Sequence, residues 1–270
     1  MKRFALVIIC LGLLFSAAAC KQTPVNKVIR MSTTTSVNDS GLMAYLQPVF
    51  EKDTGYTLEI TSAGTGAAIE KGRTGDADIL LVHSKAQEEA FIGEGFEETR
   101  IPFMYNFFVI VGPKNDPAGV ASKTTAAEAF KAIADAGAVF VSRGDESGTH
   151  NKEKAIWASI NLDPVGKDWY VSTGSGMGAT LTVADEQQGY TLSDKATFLA
   201  HSNSLSLLLE DAADMKNTYS VIAISPKRFA ETNADGAKAF IDWLKTEKAR
   251  KMIAEFGVAE YGQPLFFVLN

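Results

Sequence analysis

Ala138-Val139-Phe140-Val141-Ser142-Arg143-Gly144-Asp145-Glu146-Ser147-Gly148-Thr149 changes character twice within twelve residues. A short apolar strand, Ala138 to Val141, gives way to a loop of small, hydroxyl-bearing and charged residues. A helical pattern follows over Lys152 to Asn161, carried by Ile156 and Trp157. The same order recurs upstream. Val28 to Met31 is extended and runs into Ser32-Thr33-Thr34-Thr35-Ser36, after which Leu42, Leu46, Val49 and Phe50 mark a helix over Gly41 to Lys52. Tyr56 to Thr61 alternates as a strand does, then meets the turn Ser62-Ala63-Gly64-Thr65-Gly66 and a helical start at Ala67 to Lys71. Downstream, Trp169 to Ser172 is a strand closed by Thr173-Gly174-Ser175-Gly176-Met177-Gly178. Ile79-Leu80-Leu81-Val82, Phe107 to Val111 and Val221 to Ile224 are continuous apolar runs, as strands buried on both faces require. Further helices are expected over Thr125 to Asp135, Gly236 to Glu247 and Lys248 to Phe256. Strands alternating with helices predict an α/β protein with mainly parallel sheets.

The N-terminus has a different composition. Lys2 and Arg3 precede the apolar run Phe4 to Phe15, and Ala17-Ala18-Ala19-Cys20 supplies a small-residue cleavage site. That is the layout of a secretory signal peptide over residues 1–19, too short to span a bilayer. Residues 20–27 read as a tether. Cys10 leaves with the signal, so Cys20 becomes the only cysteine of a 251-residue mature chain. A lone cysteine at the new N-terminus implies lipid attachment at Cys20, hence a membrane-anchored protein outside the cytoplasm. Ordinary cleavage after Ala19 would use the same bond. The full chain holds 26 basic and 32 acidic residues, and loss of Lys2 and Arg3 leaves 24 against 32, a net charge of −8. Without a basic block or stripe, a nucleic-acid partner is excluded.

The chemistry lies in the four loops. In open α/β sheets ligands bind beyond the carboxyl ends of the strands. A Ser, Thr and Gly loop placed there offers hydroxyls and bare N–H groups at a helix N-terminus, which favours anions. Any one such loop is an ordinary helix cap or turn; four in one chain indicate a shared purpose. Arg143 adds a permanently charged planar fork matched to oxyanions. Ser147, His150 and Asp145 lie close together in sequence, but catalytic triads are assembled from distant segments around a separate oxyanion hole. There is no Gly-x-Ser-x-Gly elbow around Ser175 and no Walker motif. The histidines, His83, His150 and His201, lie too far apart to suggest a metal site, and His83 and His201 read as structural. Trp157, Trp169 and Trp243 read as packing residues. The expectation is a binding protein with no enzymatic activity, no metal cation and no cofactor.

From Val28 to Pro264 the chain resembles the periplasmic tungstate-binding proteins of ABC-type importers. The resemblance rests on Thr33-Thr34-Thr35-Ser36 with Asp39-Ser40-Gly41-Leu42; on Gly75 to His83; on Met104-Tyr105-Asn106 and Phe108 to Pro113; on Ser142 to Asp145 with Ser147 to His150; and on Gly176 to Leu181. It implies a type II periplasmic-binding fold of two α/β lobes closing on a ligand, with residues 28–108 and 214–270 in lobe 1 and 109–213 in lobe 2. It implies crossovers near Asn106 to Gly112 and Leu209 to Asn217. Thr34, Thr35, Ser36, Ser62 and Thr65 would line the site from one lobe. Arg143, Ser147, Gly148, Thr149, Thr173, Gly174, Ser175, Gly176 and Met177 would line it from the other. The implied ligand is tungstate, with molybdate, phosphate or another small anion as the alternative. The implied partners are an ABC permease and its ATPase, met by a monomer in the periplasm or at the cell surface. Phe107 departs from the family pattern, which has Asp after Tyr-Asn.

Chemistry bears on the choice of anion. Tungstate and molybdate are fully deprotonated near neutral pH and only accept hydrogen bonds, whereas phosphate keeps a proton that an Asp or Glu can accept. Asp145 or Asp39 facing the ligand would favour phosphate. Either one paired with Arg143 or serving a helix start would favour the metal oxyanions.

Overall fold

The computed structural model describes residues 26–95, 100–201 and 203–269. The expected signal peptide and the expected lipid attachment at Cys20 lie outside them. Ten strands run β1 Val28–Thr34, β2 Thr57–Ala63, β3 Ile79–Val82, β4 Ile101–Gly112, β5 Phe140–Ser142, β6 Tyr170–Ser172, β7 Thr191–Asp194, β8 Ser206–Leu209, β9 Lys216–Ala223 and β10 Phe267–Val268. The helices are α1 Thr35–Asp39, α2 Leu42–Thr54, α3 Thr65–Thr74, α4 Lys85–Gly93, α5 Ala126–Ala136, α6 Gly148–Ser159, α7 Met177–Glu186, α8 Lys195–Ala200, α9 Ala234–Leu244, α10 Glu247–Glu255 and α11 Val258–Tyr261.

One sheet has the order β10-β4-β9-β3-β1-β2, with β7 and β8 also paired to β4; β5 and β6 form a separate pair. Strand β4 serves both ends of the molecule. Its first part, Ile101 to Phe107, pairs with β9, and its second part, Phe108 to Gly112, pairs with β7 and β8. Each part lies in its own α/β lobe.

Each lobe has a core on both faces of its strands. In β3, Ile79 and Leu81 join the cluster of Met31, Leu46, Phe50 and Phe240, while Leu80 and Val82 join Ile69, Phe91 and Ile222. The apolar run is thus divided by the two-residue period of a strand. The second part of β4 repeats this: Phe108 and Ile110 pack with Phe130, Phe140 and Trp157, and Val109 and Val111 with Val141, Met177 and Leu181. Burying a side chain of this size contributes roughly 1.5–3 kcal/mol. Of the tryptophans, Trp157 and Trp243 are buried in the cores and Trp169 packs against Trp157.

The expectation of mainly parallel sheets is overturned. Pairings β1–β2, β1–β3 and β5–β6 are parallel, but β3–β9, β4–β9, β4–β10, β4–β7 and β4–β8 are antiparallel. A chain that leaves one lobe along β4 and returns along β9 must lay those strands against the local direction, and neither strand betrays its direction in its side chains. Several boundaries also move. Helix α6 begins at Gly148, four residues before the expected Lys152, because Ser147 caps it by accepting a hydrogen bond from the His150 N–H. Thr33, Thr34 and Ser62 belong to strands rather than loops, and β1 passes into α1 with no loop between. Strands β7, β8 and β10 were not anticipated. Phe107 lies on the opposite face of β4 from Asn106 and Phe108, where its ring meets Tyr105 and Phe267 edge-on.

Candidate functional site

Four strand-to-helix passages converge: β1 into α1, β2 into α3, β5 into α6 and β6 into α7. Their contacts meet at Arg143, which is 2 % exposed. Its Nη2 lies 3.4 Å from Thr35 Oγ1 in the first passage and 2.6 Å from Asp145 Oδ2 in its own loop. Its carbonyl accepts hydrogen bonds from the Ser175 N–H at 3.1 Å and the Thr173 hydroxyl at 3.2 Å, which ties in the fourth passage. The second passage reaches the same loop: a Cβ on Gly64 would sit 3.8 Å from the Asp145 carbonyl. The passages come from both lobes.

The donors gathered here are under-used. Arg143 Nε, Thr65 Oγ1 and Thr149 Oγ1 are buried without a hydrogen-bond partner in the protein. A buried polar group left unsatisfied costs roughly 1–3 kcal/mol, so three together on facing passages fit a site that an acceptor completes. Helices α3 and α7 have glycine N-caps, Gly64 and Gly176, which supply no side-chain cap to their first-turn N–H groups. Backbone donors and helix dipoles therefore add to the hydroxyls.

Ser36 extends the cluster. Its hydroxyl is 3.2 Å from Thr34 Oγ1 and 3.0 Å from His83 Nε2. The other ring nitrogen of His83 is 3.0 Å from Asn217 Oδ1, and Asn217 Nδ2 donates to Asn106 Oδ1 and to the Tyr219 hydroxyl. Burial, helped by the charge of Arg143 and opposed by Asn217, lowers the His83 pKa to about 4 and keeps the ring neutral. His83 also reaches the other lobe: a Cβ on Gly148 would lie 2.5 Å from its Cε1, so glycine is required for this approach. Asp194 caps α8 through Oδ1, while its Oδ2 is buried without a partner. It faces Phe108 in the ladder, so the two side chains share the face on which Phe108 meets His83. Burial pushes the Asp194 pKa up, against the Thr197 hydrogen bonds and the Arg143 charge. A carboxyl held toward its protonated form can donate.

The remaining expected residues divide by what their atoms already do. The Thr173 hydroxyl is engaged with the Ser142 and Arg143 carbonyls and with Thr180 Oγ1. Met177 buries its side chain in the lobe core and can present only its backbone. Gly174 and Gly176 are exposed, and Ser62 is exposed in β2 beside Thr33. Asp39 is exposed and accepts from Asn38, while Asp145 binds Arg143 and receives the Ser147 N–H. Burial would raise the Asp145 pKa, but the Ser147 hydrogen bonds and the Arg143 guanidinium outweigh it and hold the carboxylate low. Ser147 meets the backbone amide of His150, not its ring, whose Nδ1 accepts from the Glu146 N–H. No proton relay runs from that serine to that imidazole.

His83, read above as structural, adjoins the cluster together with Asp194, Asn106, Asn217 and Tyr219, none of which was singled out as a site residue. The first two sit where β3 and β7 end and helices begin, so the rule applied to the other four strand ends also covers them. The asparagines and the tyrosine lie inside strands and carry no such signal.

This architecture, with two α/β lobes, a strand shared between them and a donor-rich cluster where they meet, defines a solute-binding protein. A family model described as a PBP superfamily domain matches residues 21–248. The chain is 43 % identical, over 98 % of both lengths, to the tungstate-binding protein TupA of Peptoclostridium acidaminophilum. It superposes on TupA from Desulfovibrio alaskensis G20 with a TM-score of 0.78 at 42 % identity, covering 90 % of this chain and 98 % of that one. For the tungstate ABC transporter structure from Geobacter sulfurreducens the values are 0.79 and 43 %, covering 85 % and 99 %. The chain belongs to the PBP superfamily and, within it, to the family of the tungstate-binding proteins.

Proposed function

We propose that this chain is the extracytoplasmic substrate-binding component of an ABC importer and that it captures tungstate. The observation that supports the reading is that Arg143 Nε, Thr65 Oγ1 and Thr149 Oγ1, in or beside the converging strand-to-helix passages, are buried donors without a partner in the protein. A dianion that only accepts hydrogen bonds completes that set. The carboxylate nearest Arg143, Asp145, is already committed to the guanidinium and to a helix start, which favours tungstate or molybdate over phosphate. Six to eight hydrogen bonds to a charged ligand, at roughly 1.5–3 kcal/mol each, cover the roughly 12 kcal/mol of nanomolar binding after desolvation takes its share.

In this reading residues 28–108 and 214–270 form one lobe and 109–213 the other, with the crossovers near Asn106 to Gly112 and Leu209 to Asn217. Thr34, Thr35, Ser36, Ser62 and Thr65 act from the first lobe. Arg143, Ser147, Gly148, Thr149 and the Thr173 to Met177 loop act from the second, the last largely through backbone N–H groups. Hinge closure buries the anion. The closed monomer docks on a permease driven by its ATPase, anchored through lipid on Cys20, and performs no catalysis on its ligand. Calorimetric titration with tungstate, molybdate, sulfate and phosphate tests the ligand. Nanomolar binding of tungstate is expected, with sulfate and phosphate at least about a thousandfold weaker, a gap of roughly 4 kcal/mol. Tightest binding of phosphate would overturn it.

A further inference from the structure

Beside the buried donors lies a cavity of about 580 Å³ whose lining includes Lys85, Arg100, Lys152 and Lys216. Such a concentration of cations is unexpected in a chain of formal net charge −6. The cavity spans the lobes: Lys85 opens α4, Lys152 lies in α6, and Lys216 opens β9. Its inner wall includes His83 and Gly148, the pair whose close approach bounds the buried cluster. The four cations are unequally compensated. Arg100 is held by Glu88 at 2.7 Å and by Ser220 Oγ at 2.6 Å. The Lys85 ammonium is 3.6 Å from Glu89, where both side chains are exposed and the pair is weak. Lys152 donates to a backbone carbonyl, that of Asp214, whereas Lys216 pairs with Phe107 and sits 4.0 Å over the Tyr105 ring, on the face of β4 opposite Phe108, so its ammonium is turned away from His83. Burial lowers the Lys152 pKa, with the Asp214 charge pulling the other way, and a nearby anion would reverse that effect.

We propose that this cavity is an outer anion site, where Lys85 and Lys152 collect a small oxyanion from solution and pass it by His83 to the buried donors. The inference rests on the anion-binding reading above and adds a second place on the ligand's route. A negatively charged chain repels a dianion at long range. Cations lining a low-dielectric cleft focus the field there and raise association rates by about 10–1,000-fold, an effect that salt screens.

Stopped-flow association of tungstate, over a series of NaCl concentrations, tests this. The variant K85Q/K152Q is compared with the wild type and with K131Q/K238Q, which changes net charge equally at exposed helix positions outside the cavity lining. At low salt the cavity variant is expected to associate about tenfold more slowly, with dissociation within about twofold of wild type and the difference fading as salt rises. The single variant K85Q leaves the Lys152 hydrogen bond intact and should show part of the effect if the double variant does not fold. An association rate no slower than that of the control variant overturns the proposal, as does a loss confined to dissociation. A wild-type chain that binds none of tungstate, molybdate, sulfate or phosphate removes both the proposal and the reading beneath it. Tight binding with an association rate indifferent to the cavity removes the proposal alone.

Discussion

Replacing Arg143 by Ala puts the site to its most direct test. The side chain is almost wholly buried, and its Nη2 holds Asp145 at 2.6 Å while its Nε has no partner in the protein. Truncation removes at least one charge-assisted hydrogen bond to the anion, roughly 1.5–3 kcal/mol. It also strands the Asp145 carboxylate next to a bound dianion, and cutting one member of a buried charge pair costs roughly 2–5 kcal/mol. These contributions overlap, so a net loss of about 4 kcal/mol is expected, or about a thousandfold in Kd. Calorimetric titration with tungstate reads the loss, and thermal unfolding verifies that the variant folds. Arg143→Lys keeps the charge but not the fork and should fall between. The double variant Arg143→Ala with Asp145→Asn should recover about tenfold over Arg143→Ala, because the stranded charge is gone. If Arg143→Ala binds within a few-fold of wild type, the cluster described here is not where the anion sits.

Other substitutions separate binding from folding. Thr149→Val and Thr65→Val delete hydroxyls that have no partner in the ligand-free chain; each should weaken tungstate by about 10–100-fold while leaving the unfolding temperature unchanged or raised. Equal losses in both measurements would mean that these hydroxyls serve the fold. Gly148→Ala places a methyl 2.5 Å from the His83 ring. Overpacking of this kind costs roughly 1–3 kcal/mol, and since His83 and Gly148 already meet in the ligand-free structure, both its stability and, by about tenfold or more, the affinity should fall. Wild-type affinity in that variant would show that His83 and Gly148 do not meet in the bound form. Glu153, buried beneath the Arg143 loop, accepts from the Ser142 and Tyr170 hydroxyls, and burial raises its pKa to about 7 despite them. Its unfolded value is near 4.5, so between pH 4.5 and 7 the unfolded chain binds fewer protons and this group lowers stability as pH rises. Relative to wild type, Glu153→Gln should therefore gain up to about 3 kcal/mol across that window in denaturant unfolding, and a flat difference would refute the shift.

Much of this was legible in the chain itself. Apolar runs such as Ile79 to Val82 announced strands buried on both faces, and hydroxyl-rich corners announced where those strands end. Strand direction was not legible, since Val221 to Ile224 reads the same whether it runs with β3 or against it. The short strand β7 failed for another reason: three of the four residues of Thr191-Leu192-Ser193-Asp194 are polar, and its burial is imposed by the second part of β4. His83 reads as structural, and the sequence does not show which groups it meets. Its contacts with Ser36, Asn217 and Gly148 come from three separate segments. Asp194 was hidden in the same way, as a helix cap whose second oxygen has no local role.

The bond between Arg143 and Asp145 bears on delivery as well as capture. An empty cleft holding a bare guanidinium would cling to whichever anion came first and resist giving it up. Here a resident carboxylate already occupies part of that fork, so an arriving oxyanion shares or displaces it, and when the lobes part the carboxylate is on hand to take the guanidinium back. On the proposed function, the cleft would carry its own stand-in for cargo, letting strong retention coexist with unloading at a permease.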